Sequence, residues 1–478
     1  MPDYWSTLDI DLHLPVDSGA GRRNGLEDAL REAIRDGRLS AGTRLPSTRT
    51  LAAELGVSRG TVSAAYDQLI AEGHLVARQG SGTRVAHTAG AIAASTIADH
   101  GRIPPVPVRH DLRSGSPDLS RFPTAAWLRA SRSALNRAPR DAFGYGDPRG
   151  RIELRSALTE YLGRTRGVLA SPDRIIITTG VQQALALLGS VLSASGISAI
   201  AMEDPYIPLF RDAVRMSGPT VVPLPVDDFG AQVDRLTTDA FDGVGAAVVT
   251  PSHQFPIGST LSPSRRQDLA QWAQAGHLVI EDDYDGEFRY DRQPVGAIQG
   301  IAPEDVVYLG SASKTLGPGL RLAWMVLPSR WVGAVTEAKQ LADHHSETLG
   351  QLTLAELITS HAYDRHIRSS RLRYRRRRDL LADRLEPRAG RPLTGFALAG
   401  IPAGLHALIR LEPASLTEAE VLTRATEYGL AIDGLSNMWL SPDQRHNRPQ
   451  AIVVGFGSPS DGAYPAALDA LVRTLSWT

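Results

Sequence analysis

The first 86 residues of the chain combine helical and alternating patterns of apolar positions. Leu26 and Leu30 recur at the spacing of one helical face, and that pattern stops at Gly37. Ser47 and Ser58 stand where N-caps of two further helices are expected. The predicted elements that follow the first helix are a helix over 48–55, a helix over 58–71 and a β-hairpin with a glycine-rich tip over 74–86.

The rest of the chain changes character twice. Residues 87–109 are rich in Ala, Ser, Gly and Pro, which predicts a linker, with a surface loop as the alternative. From 110 to 478, short apolar runs alternate with helical patterns, as in a buried, mainly parallel sheet with crossover helices. We therefore expect a head over 1–86 and an α/β body over 110–478, with a smaller subdomain from about residue 391.

Composition narrows the chemistry. The chain has no cysteine, which excludes disulfides, thiolate metal sites and cysteine nucleophiles. No run approaches the ~20 consecutive apolar residues of a membrane span, and no secretory signal is visible, so we expect a cytoplasmic protein. Lys314 and Lys339 are the two lysines among 51 basic residues. A reaction that needs a side-chain amine must therefore use one of them.

The predicted head has the element order of a winged helix-turn-helix: helix, three-residue turn, helix and hairpin. In that architecture the second helix reads bases from its N-terminal end, which here carries Ser58, Arg59 and Thr61. Arg59 can contact guanine through two hydrogen bonds, whereas Ser58 and Thr61 suit phosphate oxygens. Arg44 and Arg49 flank the first helix of the pair, where phosphate contacts position a protein on DNA.

The charge of the head agrees with this interpretation, although the net charge of the whole chain is −1. Between Gly37 and Thr88, six arginines stand against three acidic residues. A helical subdomain with a solvated arginine face is the alternative. The words LPSTRTLA, GVSRGTV and EGHLVARQGSGTRV, however, resemble the GntR family of bacterial regulators. That resemblance implies DNA contacts at Arg49, Ser58, Arg59 and Thr61 and at the hairpin tip, Gln79 and Gly80.

A second set of residues indicates a cofactor site in the body. Lys314 stands in a turn after a predicted strand, close in sequence to Ser311, Ser313 and Arg321. A lysine in such a turn can form a Schiff base with an aldehyde cofactor, and the serines and the arginine can hold a phosphate. An acidic stretch at 281–285 leaves a buried strand, where a carboxylate would keep a pyridine nitrogen protonated.

Three further segments accompany the lysine. A glycine-led helix start at 178–185 presents free N–H groups to a phosphate, and the words FGYGDPRG and TPSHQFPIG stand at 143–150 and 250–258. In this order the segments resemble the fold-type I aminotransferases, which are dimers. The resemblance implies pyridoxal 5'-phosphate, bound as an internal aldimine on Lys314, with Asp282 beside its pyridine nitrogen. The other contacts that it implies are Tyr284 with the 3-hydroxyl, and Gly180, Val181, Ser311, Ser313, Arg321 and the second subunit's Tyr145 with the phosphate.

The order of a GntR-like head, a linker and an aminotransferase-like body resembles the MocR family, which includes GabR and PdxR types. This resemblance implies a DNA-binding transcriptional regulator rather than an enzyme. It would be a head-to-tail homodimer on double-stranded operator DNA, controlling genes of vitamin B6 or of amino acid and amine metabolism. Its effector would be pyridoxal phosphate itself, or an amino acid or amine. The alternative is an active aminotransferase with an accessory head.

Three positions depart from the aminotransferase pattern. Phe255 stands where an asparagine usually contacts the cofactor oxygen, and Tyr206 follows Pro205 directly, whereas the stacking aromatic usually stands two residues after a proline. We keep Tyr206 as a candidate cofactor contact. Val453 takes the place of the arginine that clamps the substrate carboxylate, and an apolar side chain cannot make that bond, so efficient transamination is not expected. The alternative clamps are Arg445 and Arg448.

The remaining clusters of arginine and histidine residues give weaker indications of function. Eight arginines between residues 365 and 378 predict a solvated helix with some salt bridges, and a second DNA patch is the alternative. We expect no metal site, because no carboxylate–histidine ligand spacing accompanies the histidines at 344–345, 361 and 366. His406 is expected to be a packing histidine.

Overall fold

The computed structural model describes residues 22–78, 82–86, 108–290, 295–386, 395–412, 416–440 and 448–476. The chain forms two compact units, Met1–Pro105 and Val106–Thr478, and each is considered by itself. The predicted linker lies outside the described residues except for its last two, and so does the predicted start of the small subdomain near residue 391. Within the described ranges, no helix has both the length and the apolar character that a membrane crossing requires.

The first unit packs three helices and a hairpin around an apolar core. Its elements are α1 (Arg22–Arg35), α2 (Thr48–Glu54), α3 (Arg59–Ala71), β1 (Leu75–Arg78) and β2 (Gly82–Val85). Leu30 of α1 and Leu69 of α3 are fully buried in that core. The Ser47 and Ser58 hydroxyls each accept a hydrogen bond of 3.1 Å from the backbone N–H three residues on, which caps α2 and α3.

The second unit is an α/β body. Its helices are α4 (Thr124–Arg137), α5 (Ile152–Arg166), α6 (Val181–Ala194), α7 (Pro208–Met216), α8 (Pro263–Gln274), α9 (Ser329–Asp343), α10 (Thr348–Thr359), α11 (Ala362–Leu385), α12 (Glu418–Glu427) and α13 (Tyr464–Leu475). Its strands are β3 (His110–Asp111), β4 (Ile175–Thr178), β5 (Ala199–Asp204), β6 (Thr220–Asp227), β7 (Gly230–Ala231), β8 (Val244–Val249), β9 (Leu278–Asp282), β10 (Val306–Ser311), β11 (Ala323–Val326), β12 (Phe396–Ala399), β13 (His406–Leu411), β14 (Leu430–Ala431), β15 (Asp433–Gly434) and β16 (Ala451–Gly455).

Eight of these strands form the central sheet, in the order β4-β11-β10-β9-β8-β5-β6-β7. The pairs from β10 through β9, β8 and β5 to β6 are parallel, and β11 runs antiparallel to both of its neighbours. Ile176 and Ile177, adjacent on β4, belong to two different apolar clusters, so both faces of the sheet are covered. The predicted α/β class with a mainly parallel sheet is confirmed.

A smaller antiparallel sheet, in the order β12-β13-β16-β15, lies in the C-terminal part of the body. Val453 of β16 pairs with Leu408 of β13 on one side and with Asp433 of β15 on the other. The short parallel pair of β3 with β14 brings the chain around residue 110 to this region. Residues that are far apart in sequence therefore meet beside the carboxyl ends of the central strands.

Candidate functional site

A cavity of about 460 Å³ opens beside the carboxyl ends of the parallel strands. Asp282 is the last residue of β9, Ser311 is the last residue of β10, and Gly180 immediately precedes α6. Strand ends in such a sheet are the usual place for a binding site, since the loops that follow must supply the polar groups. Eight of the ten predicted cofactor residues line the cavity: Gly180, Val181, Asp282, Tyr284, Ser311, Ser313, Lys314 and Arg321.

One end of the cavity forms a cradle for an anion. A Cβ atom at Gly180 would lie 3.1 Å from Nη2 of Arg321, so a larger residue here would push the guanidinium away from the start of α6. The first N–H groups of a helix have no acceptor within the helix and point outward. Ser311 Oγ accepts a hydrogen bond of 3.1 Å from the Ser313 N–H. Positive charge and free donors therefore converge as a phosphate group requires.

Lys314 lies between this cradle and an acidic wall. Its Nζ donates a hydrogen bond of 2.6 Å to the carbonyl of Gly115. Burial lowers the pKa of Lys314 below its ordinary value, and the charges of Asp285 and Asp282 oppose that shift. A lowered pKa leaves more of the lysine as the neutral amine, which is the form that attacks an aldehyde.

The carboxylate of Asp282 is held from behind and left open toward the cavity. The Tyr206 hydroxyl donates to Oδ2 at 2.7 Å, while Oδ1 is buried and has no hydrogen-bond partner among the described residues. Burial raises the pKa of Asp282 to about 7. A buried polar atom without a partner is costly unless a ligand satisfies it. Together with the anion cradle and the lysine, Asp282 Oδ1 fits a protonated pyridine nitrogen.

A buried polar cluster stands behind Tyr284. The Tyr284 hydroxyl lies 3.2 Å from Nδ1 of His253, and that nitrogen lies 2.8 Å from Oδ2 of Asp285. The ring of His406 packs on His253 with 4.7 Å between centroids. One ligand atom from each of His253, Asp285 and His406 falls within 4.8 Å of the others, a spacing that a metal ion also uses. The absence of a metal site stays a prediction.

His406 packs on the rings of His253 and Phe255, as the sequence suggested, but its hydrogen-bonding atoms are not all satisfied. It lines the cavity, and its Nε2 is buried without a hydrogen-bond partner in the described part of the chain. Burial lowers the pKa of His406 well below its ordinary value, so the ring is neutral. The local sequence Pro-Ala-Gly-Leu-His does not predict that His406 lines the cavity. His406 is the first residue of β13, and the pairing of β13 in the second sheet places it there.

Comparison with known proteins covers both units. The family described as "Bacterial regulatory proteins, gntR family" matches residues 22–85, and "Aminotransferase class I and II" matches residues 110–438. The chain is similar to the pyridoxine biosynthesis regulator PdxR of Corynebacterium glutamicum, with 31% identity over 91% of each chain. It is also similar to the probable rhizopine catabolism regulatory protein MocR of Rhizobium meliloti, with 32% identity over 94% of this chain and 91% of the relative. The chain belongs to the MocR family of transcriptional regulators.

The solved structures agree with this assignment for the body. Kynurenine aminotransferase of Pyrococcus horikoshii, whose structure holds PMP, superposes with a TM-score of 0.67 at 26% identity. The superposition covers 76% of this chain and 90% of that one. The body of this MocR-family chain therefore has the aminotransferase fold, and the predicted resemblance to both families is confirmed.

The position of the usual carboxylate clamp differs from an amino acid site. Val453 is fully buried and packs in one apolar cluster with Phe255 and Met438. Arg448 does not line the cavity: its guanidinium stacks over Trp439 at 4.3 Å. The other predicted substitute, Arg445, lies outside the described residues. Among the described residues that line the cavity, the cations are Lys314 and Arg321.

Two predicted cofactor contacts do not line the cavity of their own chain. Tyr206 is buried behind Asp282, so its ring cannot stack on a cofactor; Ile207, two residues after Pro205, lines the cavity instead. Tyr145 is 86% exposed and stacks on His344 with 4.8 Å between ring centroids. Its contact with a second subunit's phosphate stays a prediction.

The head presents the predicted DNA contacts before and within α2 and at the start of α3. Arg44, Arg49 and Arg59 are exposed, and none of the three forms an ion pair within the described ranges. Ser58 is exposed, and its hydroxyl lies 2.8 Å from that of Thr61, so both hydroxyls also serve the helix cap. Exposed guanidinium groups without acidic partners are what a phosphate backbone requires. The predicted hairpin-tip contacts, Gln79 and Gly80, lie outside the described residues.

The arginine run lies on α11. Arg377 is buried and pairs with Asp118 and with Asp461, each at 2.7 Å. The exposed members of the run are Arg365, Arg368, Arg375 and Arg376. The buried pairs fit the interpretation of a packed, solvated helix, while a second DNA patch stays a prediction.

Sequence reasoning missed several residues that line the cavity. Ser114 and Gly115 lie in the loop after β3, and Asp433 and Met438 lie on or just beyond β15. Their positions depend on the pairing of short strands about 320 residues apart, which no local pattern records. The one local signal was the glycine at 115, whose φ of +100° favours glycine in a tight turn.

Proposed function

We propose that the chain is a pyridoxal phosphate-dependent transcriptional regulator that binds double-stranded operator DNA in the cytoplasm as a head-to-tail homodimer. One observation carries the proposal. The same chain holds a GntR-type head in which Arg44, Arg49 and Arg59 are exposed and form no ion pair with a described residue, and a cavity lined by Lys314, Asp282 and Arg321. We place the head at 1–86, the linker at 87–109 and the effector body at 110–478.

Each cavity residue has a role that follows from its position. Arg321 and the N–H groups at Gly180 and Val181 bind the phosphate. Asp282, fixed by Tyr206, would accept a hydrogen bond from the pyridine nitrogen and so keep that nitrogen protonated. Lys314 holds the aldehyde carbon. The bound cofactor supplies an electrophilic carbon that reacts with amines.

Regulation requires that the ligand distinguish two states of the protein. A ligand shifts such an equilibrium only through its different affinity for the two states. Cofactor or amine binding in the body would bias the heads toward or away from a DNA-binding arrangement. We infer that the controlled genes serve vitamin B6 or amine metabolism, since the effector binds at the cofactor.

A mobility-shift titration tests DNA binding. The probe is the DNA upstream of the chain's own coding sequence, with and without pyridoxal phosphate. We expect binding in at least one state, weakened about 10- to 100-fold by R59A, because a bidentate guanine contact contributes about 1–3 kcal/mol. No binding in either state would refute the proposal. An exposed arginine elsewhere on the head, in the variant R35A, is the control.

The second candidate function is aminotransfer, which the retained lysine and anion cradle favour. The buried Val453 in place of a clamp argues against it for amino acids. Absorption spectra of the cofactor-loaded protein with a panel of amino acids separate the two. Stoichiometric conversion of the cofactor to its amine form would establish aminotransfer.

A further inference from the structure

In the proposed function, most of the charged side chains that line the cavity face a group of the cofactor. Arg321 faces the phosphate, Asp282 the ring nitrogen and Lys314 the aldehyde carbon. Among the described residues that line the cavity, Asp433 is the charged residue that the cofactor leaves without a role. What Asp433 faces therefore determines which second ligand the cavity accepts.

The position of Asp433 is fixed by its strand. It is the first residue of β15 and lies directly opposite Val453 of β16. Its Oδ2 accepts two hydrogen bonds of 2.8 Å from Ser114, one from the backbone N–H and one from the hydroxyl. For Oδ1 the structure shows no hydrogen bond to a described residue. A carboxylate with one oxygen anchored and the other open is positioned to accept from a ligand.

The neighbouring cation does not cancel this charge. The pKa of Arg113 is raised first by its hydrogen bonds to Asp111 and last by the charge of Asp433. Its guanidinium donates to both oxygens of Asp111, at 3.0 and 2.6 Å, and makes no hydrogen bond to Asp433 within the described chain. The positive charge of Arg113 therefore partly offsets the negative charge of Asp433, but Arg113 makes no hydrogen bond to this carboxylate within the described chain.

The surroundings of Val453 exclude a carboxylate. Phe255 and Met438 form an apolar wall of the cavity, with Val453 packed against them in the same cluster, and a carboxylate against this wall would lose hydration without gaining a partner. Asp433 on the adjacent strand adds repulsion between like charges. At the position where an aminotransferase binds a negative group, this chain thus has the apolar Val453 on β16 and the negatively charged Asp433 on the adjacent strand β15.

We propose that the ligand bound beside the cofactor is a primary amine without an α-carboxylate, whose far end carries a second ammonium group or another hydrogen-bond donor directed at Asp433. This proposal rests on the proposed function, since the cofactor must occupy the inner half of the cavity, which Lys314, Asp282 and Arg321 line. The apolar wall contacts the carbon chain between the two amines.

Three matched probes test it on the full-length, cofactor-loaded protein. They are 1,5-diaminopentane, lysine, which adds an α-carboxylate, and pentylamine, which lacks the second amine. Affinity is measured by calorimetry and by the cofactor absorption spectrum. We expect the diamine to bind at least about 10-fold more tightly than lysine and about fivefold more tightly than pentylamine, because a partly exposed ion pair contributes up to about 1 kcal/mol.

The variant D433N keeps an acceptor oxygen for Ser114 and removes the charge. It should abolish the preference for the diamine over pentylamine and improve lysine binding. D228N, which removes an exposed carboxylate paired with Arg410, is the control and should leave both preferences unchanged.

Lysine binding as tightly as the diamine, no binding of any probe, or an unchanged preference in folded D433N would each overturn the proposal. If the proposed function itself were wrong, the result would differ from all of these, because the protein would show no cofactor absorption before any amine is added.

Discussion

The two halves of the cavity have different chemistry. In the inner half, Lys314, Asp282 and Arg321 each face a place that a group of pyridoxal phosphate would fill. In the outer half, Phe255 and Met438, with Val453 packed against them, form an apolar wall where an amino acid's carboxylate would bind in an aminotransferase. The comparison indicates that the residues suited to a cofactor and those suited to a substrate can change independently in this fold. A chain can keep the first and change the second, as a sensor requires.

The largest expected effect comes from removing the lysine of the inner half. K314A should abolish the visible absorption band of the lysine-bound cofactor, because no other amine lies in the described cavity lining. K339Q is the matched control, since Lys339 is paired with Asp343 on α9 and should leave the band intact. Survival of the band in K314A would refute the assignment of the inner half.

The next effect concerns the ring nitrogen. D282N removes the charge that holds the pyridinium proton and keeps the shape of the side chain. We expect cofactor affinity to fall about 10- to 100-fold, since a hydrogen bond to a charged group contributes about 1.5–3 kcal/mol. Fluorescence titration of the cofactor-free protein measures this change. Unaltered affinity would show that Oδ1 of Asp282 does not face the ring.

The same carboxylate makes the stability of the cofactor-free protein depend on pH. Burial raises the pKa of Asp282 to about 7, above the value of about 3.9 expected in the unfolded chain. Its neutral form therefore stabilises the fold at low pH, and this contribution is lost as pH rises through 7. Between pH 6 and 8.5 the loss is on the order of 1 kcal/mol for one such group.

D282N should remove that share of the pH dependence. Glu203, Glu281 and Glu287 also have pKa values raised by burial to about 7, so the variant should flatten the profile without abolishing it. Urea denaturation at the two pH values provides the comparison. A variant whose profile matches the wild type would contradict the burial-raised pKa of Asp282.

The smallest effect concerns the side chain that would cover the cofactor ring, where the inner half meets the outer half. Ile207 lines the cavity two residues after Pro205, where a stacking aromatic is usual. I207F should tighten cofactor binding about three- to tenfold, since an aromatic contact adds about 0.5–1.5 kcal/mol beyond area burial. L209F, at a half-exposed position of the same wall, is the control. Equal effects of the two variants would show that Ile207 has no special position over the ring.

The inner half and the two-unit fold could be predicted from sequence because their signals are local. Lys314, Ser311 and Arg321 stand within one turn, and the caps at Ser47 and Ser58 are set by neighbouring residues. The outer half could not be predicted in the same way. Asp433 reaches the cavity through its pairing with Val453 in the second sheet and through the adjacent pairing of β14 with β3, about 320 residues away, and such register leaves no local pattern.

The central claim is that cofactor bound at Lys314 controls DNA binding. The most direct test is the affinity for the upstream DNA, measured by fluorescence anisotropy at one fixed salt concentration, for wild type and K314A with and without pyridoxal phosphate. We predict that the cofactor changes the wild-type affinity about 10-fold or more, and that K314A responds to it far less. Equal affinity of the wild type in both states would contradict the claim.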